Sequence, residues 1–241
     1  MKGGVAMRTV LSREQQMKCL HRGFFNSLYV VPTAVGPREM VAHNENKSNL
    51  MAAKMMVVCL NEGVTLVQEE EPTNTLLSFL ETLRRTGLNN FSTLVLAADR
   101  PVTYFEYPIE LKGNYQLEFP GGVSEGTEDT LVTAMRELVE EYGLDGEHDI
   151  VQTAPLVTFP AAHDAGTNAE LYTTRLALVR KPARPPRREG IIPELCWFGP
   201  LLDVEQYLFE QGRQGVVIEL LALGMVFQLG LALHGGWAAL R

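Results

Sequence analysis

The chain has 241 residues, of which 46% are hydrophobic and 21% are charged, and its formal net charge at pH 7 is −8. This length accommodates one large domain, or one domain with a small appendage, and this composition is ordinary for a soluble globular protein. The negative charge argues against non-specific binding to nucleic acid or to an anionic membrane.

Residues 1–50 show no regular pattern and are predicted to form an N-terminal extension or arm, so the main domain is expected at 51–241. The first twenty residues lack the apolar core of a signal peptide but hold four basic side chains, Lys2, Arg8, Arg13 and Lys18. We expect a cytoplasmic protein, with the mitochondrion as the alternative compartment. The three cysteines are far apart in the sequence, which is typical of reduced thiols and not of disulfides or a zinc site.

The first half of the main domain begins with two apolar runs around residues 61–63, which predict a β-hairpin over 54–70. A helix is predicted over 72–87, with Thr73 or Asn74 as its N-cap and Gly87 at its end. Its apolar face is expected to contain four leucines, Leu76, Leu77, Leu80 and Leu83. A strand is predicted to follow over 91–101.

The second half contains three predicted strands and two predicted helices. The strands are expected at 149–159, 169–181 and 195–201, and the helices at 203–212 and 216–234. The last segment is long enough to cross a bilayer, but Glu219 and Gln228 interrupt it, which favours a buried packing helix. Strands that alternate with helices in this way indicate an α/β fold.

Between the two halves, residues 119–144 combine a Pro-Gly-Gly turn with a predicted helix that carries Glu137, Glu140 and Glu141. At about 100° per residue these carboxylates form one stripe at the edge of the apolar face. Like charges four residues apart destabilise a helix by a few tenths of a kcal/mol. Hard oxygen ligands beside a glycine turn are what Mg²⁺ binding requires, and a bound cation would remove the repulsion. A solvated acidic face without function is the alternative.

The ends of this helix carry their own signals. Thr127 is the predicted N-cap, and Gly143 is the predicted left-handed residue after the last turn. The predicted packing face is made of four residues, Leu131, Met135, Leu138 and Tyr142, with the small Ala134 at its border.

The same segment resembles the signature of the Nudix hydrolases, G-x5-E-x7-R-E-U-x-E-E-x-G-U, where U is a bulky aliphatic residue. Nine positions match: Gly122, Glu128, Arg136, Glu137, Leu138, Glu140, Glu141, Gly143 and Leu144. The resemblance implies an α/β/α sandwich around a mixed sheet. It also implies hydrolysis of a nucleoside diphosphate linked to another group, X, with Mg²⁺ or Mn²⁺ as the cofactor.

The resemblance further assigns roles to individual residues. It implies that Glu137, Glu140 and Glu141 are metal ligands, together with the carbonyl of Gly121. Arg136 would orient the glutamates, and Glu128 would support the junction between the turn and the helix. Gly121, Gly122 and Pro160 are implied to contact the substrate.

Beyond the signature, the chain looks most like the ADP-ribose pyrophosphatase branch, which converts ADP-ribose to AMP and ribose 5-phosphate. The similarity lies in "YQLEFPGG" (115–122), the N-terminal extension, the last helix and Pro160. A second alignment places Ala165-Gly166 on the Pro-Gly of that branch. In this branch a glutamate after the signature is often the general base, which implies Glu189, with Glu194 as the alternative.

Three other functions remain open. A UDP-sugar could replace ADP-ribose, and the basic segment 180–190 favours an RNA 5′-end hydrolase. A non-catalytic Nudix-type binding protein is the third, although no glutamate of the signature is missing. We also expect a homodimer, because the apolar run 24–31 has no evident partner in the core.

Overall fold

The computed structural model describes eleven continuous parts of the chain, of which residues 171–180 form one. Residues 18–22, 26–33, 36–43, 161–162 and 171 are described by their backbone alone. The backbone and side chains are described for residues 51–69, 71–99, 115–125, 128–144, 148–157, 172–180 and 190–233.

Three strands lie within the N-terminal extension: β1 (Lys18–Arg22), β2 (Asn26–Thr33) and β3 (Gly36–His43). They form an antiparallel sheet in the order β1-β2-β3. The prediction that residues 1–50 are irregular is therefore wrong for these segments. Strand β2 holds Tyr29, Val30, Val31 and Thr33, which are residue types that favour strands, and this signal was missed.

Nine strands of the described chain form the main sheet. They are β4 (Met51–Leu60), β5 (Phe91–Asp99), β6 (Tyr115–Glu118), β7 (Gly121–Val123), β8 (Ile150–Pro155), β9 (Ala161–Ala162), β10 (Leu171–Val179), β11 (Trp197–Pro200) and β12 (Val217–Ile218). Their central path runs β12-β6-β5-β4-β10-β8. The sheet is mixed, because β4 pairs with β10 in parallel and with β5 antiparallel.

Strand β4 divides one of its edges between two partners. Residues 52–54 pair with β7, whereas residues 58–60 pair with β5. In the gap between them, the Met55 N–H donates to the carbonyl of Pro120 at 2.9 Å. The turn between β6 and β7 therefore reaches the middle of β4, and this placement positions the candidate site.

Four helices cover the two faces of the sheet in the part of the chain that is described. They are α1 (Leu76–Thr86), α2 (Thr130–Tyr142), α3 (Val204–Arg213) and α4 (Leu220–Leu233). Alternate residues of β4 point to opposite faces, so Met55 and Val57 pack with α2, and Met56 and Val58 pack with the core that α1, α3 and α4 share. The predicted α/β class is confirmed.

The predicted hairpin over 54–70 is wrong. Its first half is β4, but residues 64–69 form no strand. Both edges of β4 are already paired, with β10 on one side and with β7 and β5 on the other. Residues 64–69 run beside α1 instead, where the Val67 N–H donates to the Thr86 hydroxyl at 3.0 Å.

Helix α1 starts later than predicted. Its N-cap is Thr75, whose side chain accepts from the Ser78 N–H, and neither Thr73 nor Asn74 has this role. Leu77 was assigned to the apolar face but is 63% exposed, and Phe79 is fully buried. The predicted stop at Gly87 is confirmed, because this residue has φ 91 and its N–H donates to two carbonyls of the last turn.

Helix α2 is capped by Asp129, whose carboxylate accepts from the N–H groups of Leu131 at 2.7 Å and Val132 at 2.9 Å. These bonds correct the predicted N-cap, Thr127, which lies outside the described residues. At the other end Gly143 has φ 63 and ψ 31 in the left-handed region, as predicted. The predicted packing face is also confirmed, because Ala134, Leu138 and Tyr142 are buried.

The last helix, α4, begins after a short strand and not at residue 216. It is buried on one face only, because Leu220, Phe227 and Leu231 are 69%, 56% and 40% exposed. The prediction of a buried packing helix is thus confirmed for one face of α4 only. Within the described residues, no helix is both long and apolar enough to cross a membrane.

The Asp129 cap leads to a stability prediction. Asp129→Ala should lower the free energy of unfolding by about 1 kcal/mol, because two N–H groups of the first turn lose their acceptor. The thermal midpoint should fall by about 2–4 °C for a chain of this size. Asp129→Asn is the matched control, since it keeps an acceptor oxygen, and should stay close to wild type. Equal losses in both variants would show that the cap is not the cause.

Candidate functional site

The turn between β6 and β7 leads into Gly121 and Gly122, whose backbone lies directly against β4 and α2. A Cβ on Gly121 would collide with the carbonyl oxygen of Ala53 and with the side chain of Lys54. A Cβ on Gly122 would collide with the carboxylate of Glu137. Only glycine fits at both positions without a shift of the surrounding atoms, so sheet and helix meet here through backbone.

Arg136 connects the helix to the turn. Its guanidinium donates to Glu137 Oε1 at 2.7 Å and to the carbonyl of Val123 at 3.2 Å. Two glutamates lie further out, with Glu128 Oε1 at 3.4 Å and Glu140 Oε1 at 3.7 Å. The fixed fork of an arginine can hold several carboxylates at once, so the implied orienting role of Arg136 agrees with its contacts.

Glu128 braces the start of the helix. Its carboxylate accepts from the Glu125 N–H at 3.1 Å and from the Thr133 hydroxyl at 3.2 Å. The pKa of Glu128 is lowered, first by the backbone bond from Glu125 and then by Arg136. This carboxylate therefore stays ionised, and it links Glu125 in the loop before α2 to Thr133 and Arg136 of the helix.

The three glutamates of the predicted stripe differ in exposure. The side chains of Glu137 and Glu140 are 11% and 41% exposed, and Glu141 is half-buried. Glu141 Oε2 accepts from the Gly121 N–H at 3.1 Å. The stripe thus lies closer to the core than the helix pattern alone indicates, with Glu137 under Gly122 and Glu141 against Gly121.

The surroundings of Glu141 disfavour its ionised form. Burial, followed by the nearby charge of Glu137, raises the pKa of Glu141 from 4.5 to about 7. The ammonium of Lys54 and the Gly121 N–H act in the opposite direction but do not cancel the rise. The surroundings of Glu141 therefore favour its protonated form.

These residues have the chemistry of a site for a hard divalent cation. Carboxylates and a backbone carbonyl are the donors that Mg²⁺ prefers, and a cation beside Glu141 would oppose the effects of burial and of Glu137 that raise its pKa. The carboxylates are not gathered on one point, because Glu137 faces Arg136 and Glu141 faces Gly121. Among the described residues, no three acidic, histidine or cysteine side chains are grouped closely enough to hold a metal ion.

The sequence reasoning missed three charged residues beside the turn. Lys54 Nζ lies 2.9 Å from Glu219 Oε1 and 3.9 Å from Glu118 Oε2, and all three side chains are almost completely buried. The available signal was Lys54 itself, the one charged residue in the apolar strand "MAAKMMVVCL". Its partners are far away in the sequence and could not be found from local spacing.

Most of the remaining predicted site residues fall in parts of the chain that the structure does not describe. Glu189 and Pro160 lie outside the described residues, as do Ala165 and Gly166. Glu194 lies exposed in a 3-10 turn, Pro193–Leu195, where its charge helps to raise the pKa of Cys196 after the larger effect of burial. The choice between Glu189 and Glu194 as general base stays a prediction.

No protein-family model and no curated protein sequence matches this chain.

The pKa of Glu141 predicts how pH changes the stability of the metal-free protein. The pKa is about 7 in the folded state and 4.5 in the reference state, so its contribution to stability is complete below pH 4.5 and is lost as pH rises through 7. Glu141→Gln keeps an acceptor for Gly121 and removes this titration. In EDTA, the variant should match wild type near pH 4.5 and exceed it by up to about 3 kcal/mol above pH 7.

Thermal unfolding at several pH values measures this difference. Glu205→Gln, an exposed position on α3, is the matched control and should give the same difference from wild type at every pH. A Glu141→Gln difference that is equally flat would contradict the raised pKa of Glu141.

Proposed function

We propose that the chain is a Mg²⁺-dependent hydrolase of the Nudix type, which cleaves the diphosphate of a nucleoside diphosphate linked to another group. The observation that carries the proposal is the position of the nine matching residues. They lie in or next to one turn and one helix, where the backbone of Gly121 and Gly122 lies directly against Glu141 and Glu137. A solvated acidic helix would not need its carboxylates under a glycine turn.

In this proposal Glu137, Glu140 and Glu141, with the carbonyl of Gly121, would hold Mg²⁺. When bound, Mg²⁺ neutralises the charge of a diphosphate and lowers the pKa of a coordinated water. Mn²⁺ has the same preference for oxygen ligands and could replace it.

Contacts among the chain's own residues would orient the proposed metal ligands. Arg136 holds Glu137 through its 2.7 Å contact and lies within 4 Å of Glu140, so one guanidinium can orient both. The absence of side chains on Gly121 and Gly122 lets the turn lie directly against Lys54 and Glu137. Burial of Glu137 and Glu141 keeps water away from two of the carboxylates and strengthens their interaction with a cation.

ADP-ribose is the proposed substrate, on the basis of the branch resemblance. One water attacks one phosphorus, the P–O bond of the anhydride breaks, and AMP and ribose 5-phosphate leave. The proton of the attacking water passes to a general base, for which Glu189 and Glu194 are the candidates. UDP-sugars and 5′-triphosphate RNA remain as other outcomes of a substrate screen, since residues 181–189 of the basic segment lie outside the described residues.

The proposed homodimer is based on the apolar run 24–31, whose side chains are not described. It stays a prediction that sedimentation can test.

The decisive test is turnover with Mg²⁺ or EDTA on a panel of ADP-ribose, UDP-glucose, NADH, diadenosine polyphosphate, coenzyme A and 5′-triphosphate RNA. We expect Mg²⁺-dependent release of AMP from ADP-ribose. Glu137→Gln and Glu141→Gln should each fall below a tenth of the wild-type kcat at saturating Mg²⁺, because each loses a carboxylate that would hold the metal.

The control for this experiment is again Glu205→Gln, which removes an acidic side chain of the same size far along the chain and should keep full turnover. Either site variant retaining more than a tenth of kcat would refute the proposed metal site. Turnover of another panel member but not of ADP-ribose would keep the reaction class and change the substrate.

The general base can be assigned by a matched pair of variants. Glu189→Gln should lower kcat by about 10²–10⁴-fold with little change in KM, which is the usual contribution of a general base. Glu194→Gln should leave kcat close to wild type. The reverse result would assign the base to Glu194, and full activity of both variants would place the base elsewhere and weaken the resemblance to the ADP-ribose branch.

A further inference from the structure

Lys54 is a buried cation at the junction of three elements. It belongs to β4, and its Nζ donates to the carbonyl of Phe119 at 3.0 Å, at the entrance of the glycine turn. The same atom lies 2.9 Å from Glu219 Oε1, and Glu219 immediately precedes α4. One ammonium group therefore contacts the turn and the start of the last helix.

The environment keeps this side chain charged. Burial alone would lower the pKa of Lys54, but Glu219 and then Glu118 outweigh this effect and raise it. A buried charge must be paired and hydrogen-bonded to be tolerated. The ammonium consequently has to stay where its carboxylate partner and the Phe119 carbonyl are both within reach.

The stem of Lys54 also shapes the turn. A Cβ on Gly121 would lie 2.5 Å from Lys54 Cδ, so the methylene groups form the surface on which the Gly121 backbone rests. Gly121 in turn donates its N–H to Glu141 at 3.1 Å. A continuous series of contacts therefore runs from Glu219 through Lys54 and Gly121 to Glu141.

We propose that Lys54 is a positioning residue, which with Glu219 holds the Phe119–Gly121 turn in register so that the Gly121 backbone meets Glu141. This inference depends on the proposed function for the role of Glu141, but not for the geometry of the turn. It assigns a part in the site to the start of α4, which lies outside the Nudix signature.

A purely structural role for Lys54 is the competing explanation, and a pair of variants separates the two. Lys54→Met keeps the length and apolar stem of the side chain but removes the ammonium that lies beside the buried carboxylates of Glu118 and Glu219. The double variant Lys54→Met/Glu219→Gln also removes the charge of Glu219. Stability should therefore fall in the single variant and recover at least half of that loss in the double variant.

The turn itself should not recover, because neither variant can hold the Phe119 carbonyl. In both variants, hydrogen exchange of the amides in residues 119–123 should rise at least about tenfold. Mg²⁺ affinity measured by calorimetry should fall by about 10–100-fold, the usual effect of losing a residue that orients metal ligands. In an active protein kcat should fall similarly, with a smaller change in KM.

Arg84→Met is the matched control. Arg84 donates to the carbonyl of Ala232 at 3.0 Å and so anchors the opposite end of α4. Its loss should lower the thermal midpoint without changing Mg²⁺ affinity or exchange at residues 119–123.

Wild-type exchange at residues 119–123 in the double variant would overturn the inference, and so would wild-type Mg²⁺ affinity. If the wild-type protein binds no Mg²⁺ and cleaves no member of the substrate panel, the proposed function fails. The exchange measurement then still decides, by itself, whether Lys54 holds the turn.

Discussion

The site depends on one constraint: the backbone at Gly121 and Gly122 has to lie in direct contact with Lys54 and Glu137. The turn has to enter the gap that β4 leaves between its pairings with β7 and β5, and there it meets Lys54 on one side and α2 on the other. Any side chain at these two positions would displace a carbonyl, the Lys54 stem or Glu137. Because the sheet fixes β4 and the core fixes α2, the distance between turn and carboxylates is set by the whole fold.

Charge explains why this arrangement is costly to the metal-free protein. Glu118 and Glu219 are each less than one-tenth exposed, the Glu137 side chain is 11% exposed, and Glu141 is half-buried beside them. Among the residues that the structure describes, Lys54 and Arg136 are the cations in direct contact with carboxylates of this group. A fold that keeps unfavourable charge in one place commonly does so for function, and a divalent cation is the simplest species that would reverse the balance.

The features that were predicted correctly are those that residues close together in the sequence determine. Helix α2, its apolar face and the left-handed Gly143 follow from residue periodicity and from the conformational freedom of glycine, and all three are present. The N-cap was misplaced because Thr127 and Asp129 are both good caps two residues apart. The hairpin failed because strand pairing is decided by distant partners, and the ion pair of Lys54 with Glu219 joins residues that are 165 positions apart in the sequence. The burial of Glu137 was underestimated for the same reason, since the helix pattern cannot show what lies above it.

The same difference between local and long-range signals explains which parts of the proposed function can be inferred from the sequence. The proposed metal site is built from one turn and one helix, so nine residues at fixed spacing are enough to suggest the reaction type. The proposed contact with group X and the proposed general base involve Pro160 and Glu189, whose positions follow from no periodic pattern. Loops positioned by a rigid scaffold usually decide specificity. The reaction type can therefore be inferred from the helix, whereas the identity of X has to be measured by turnover.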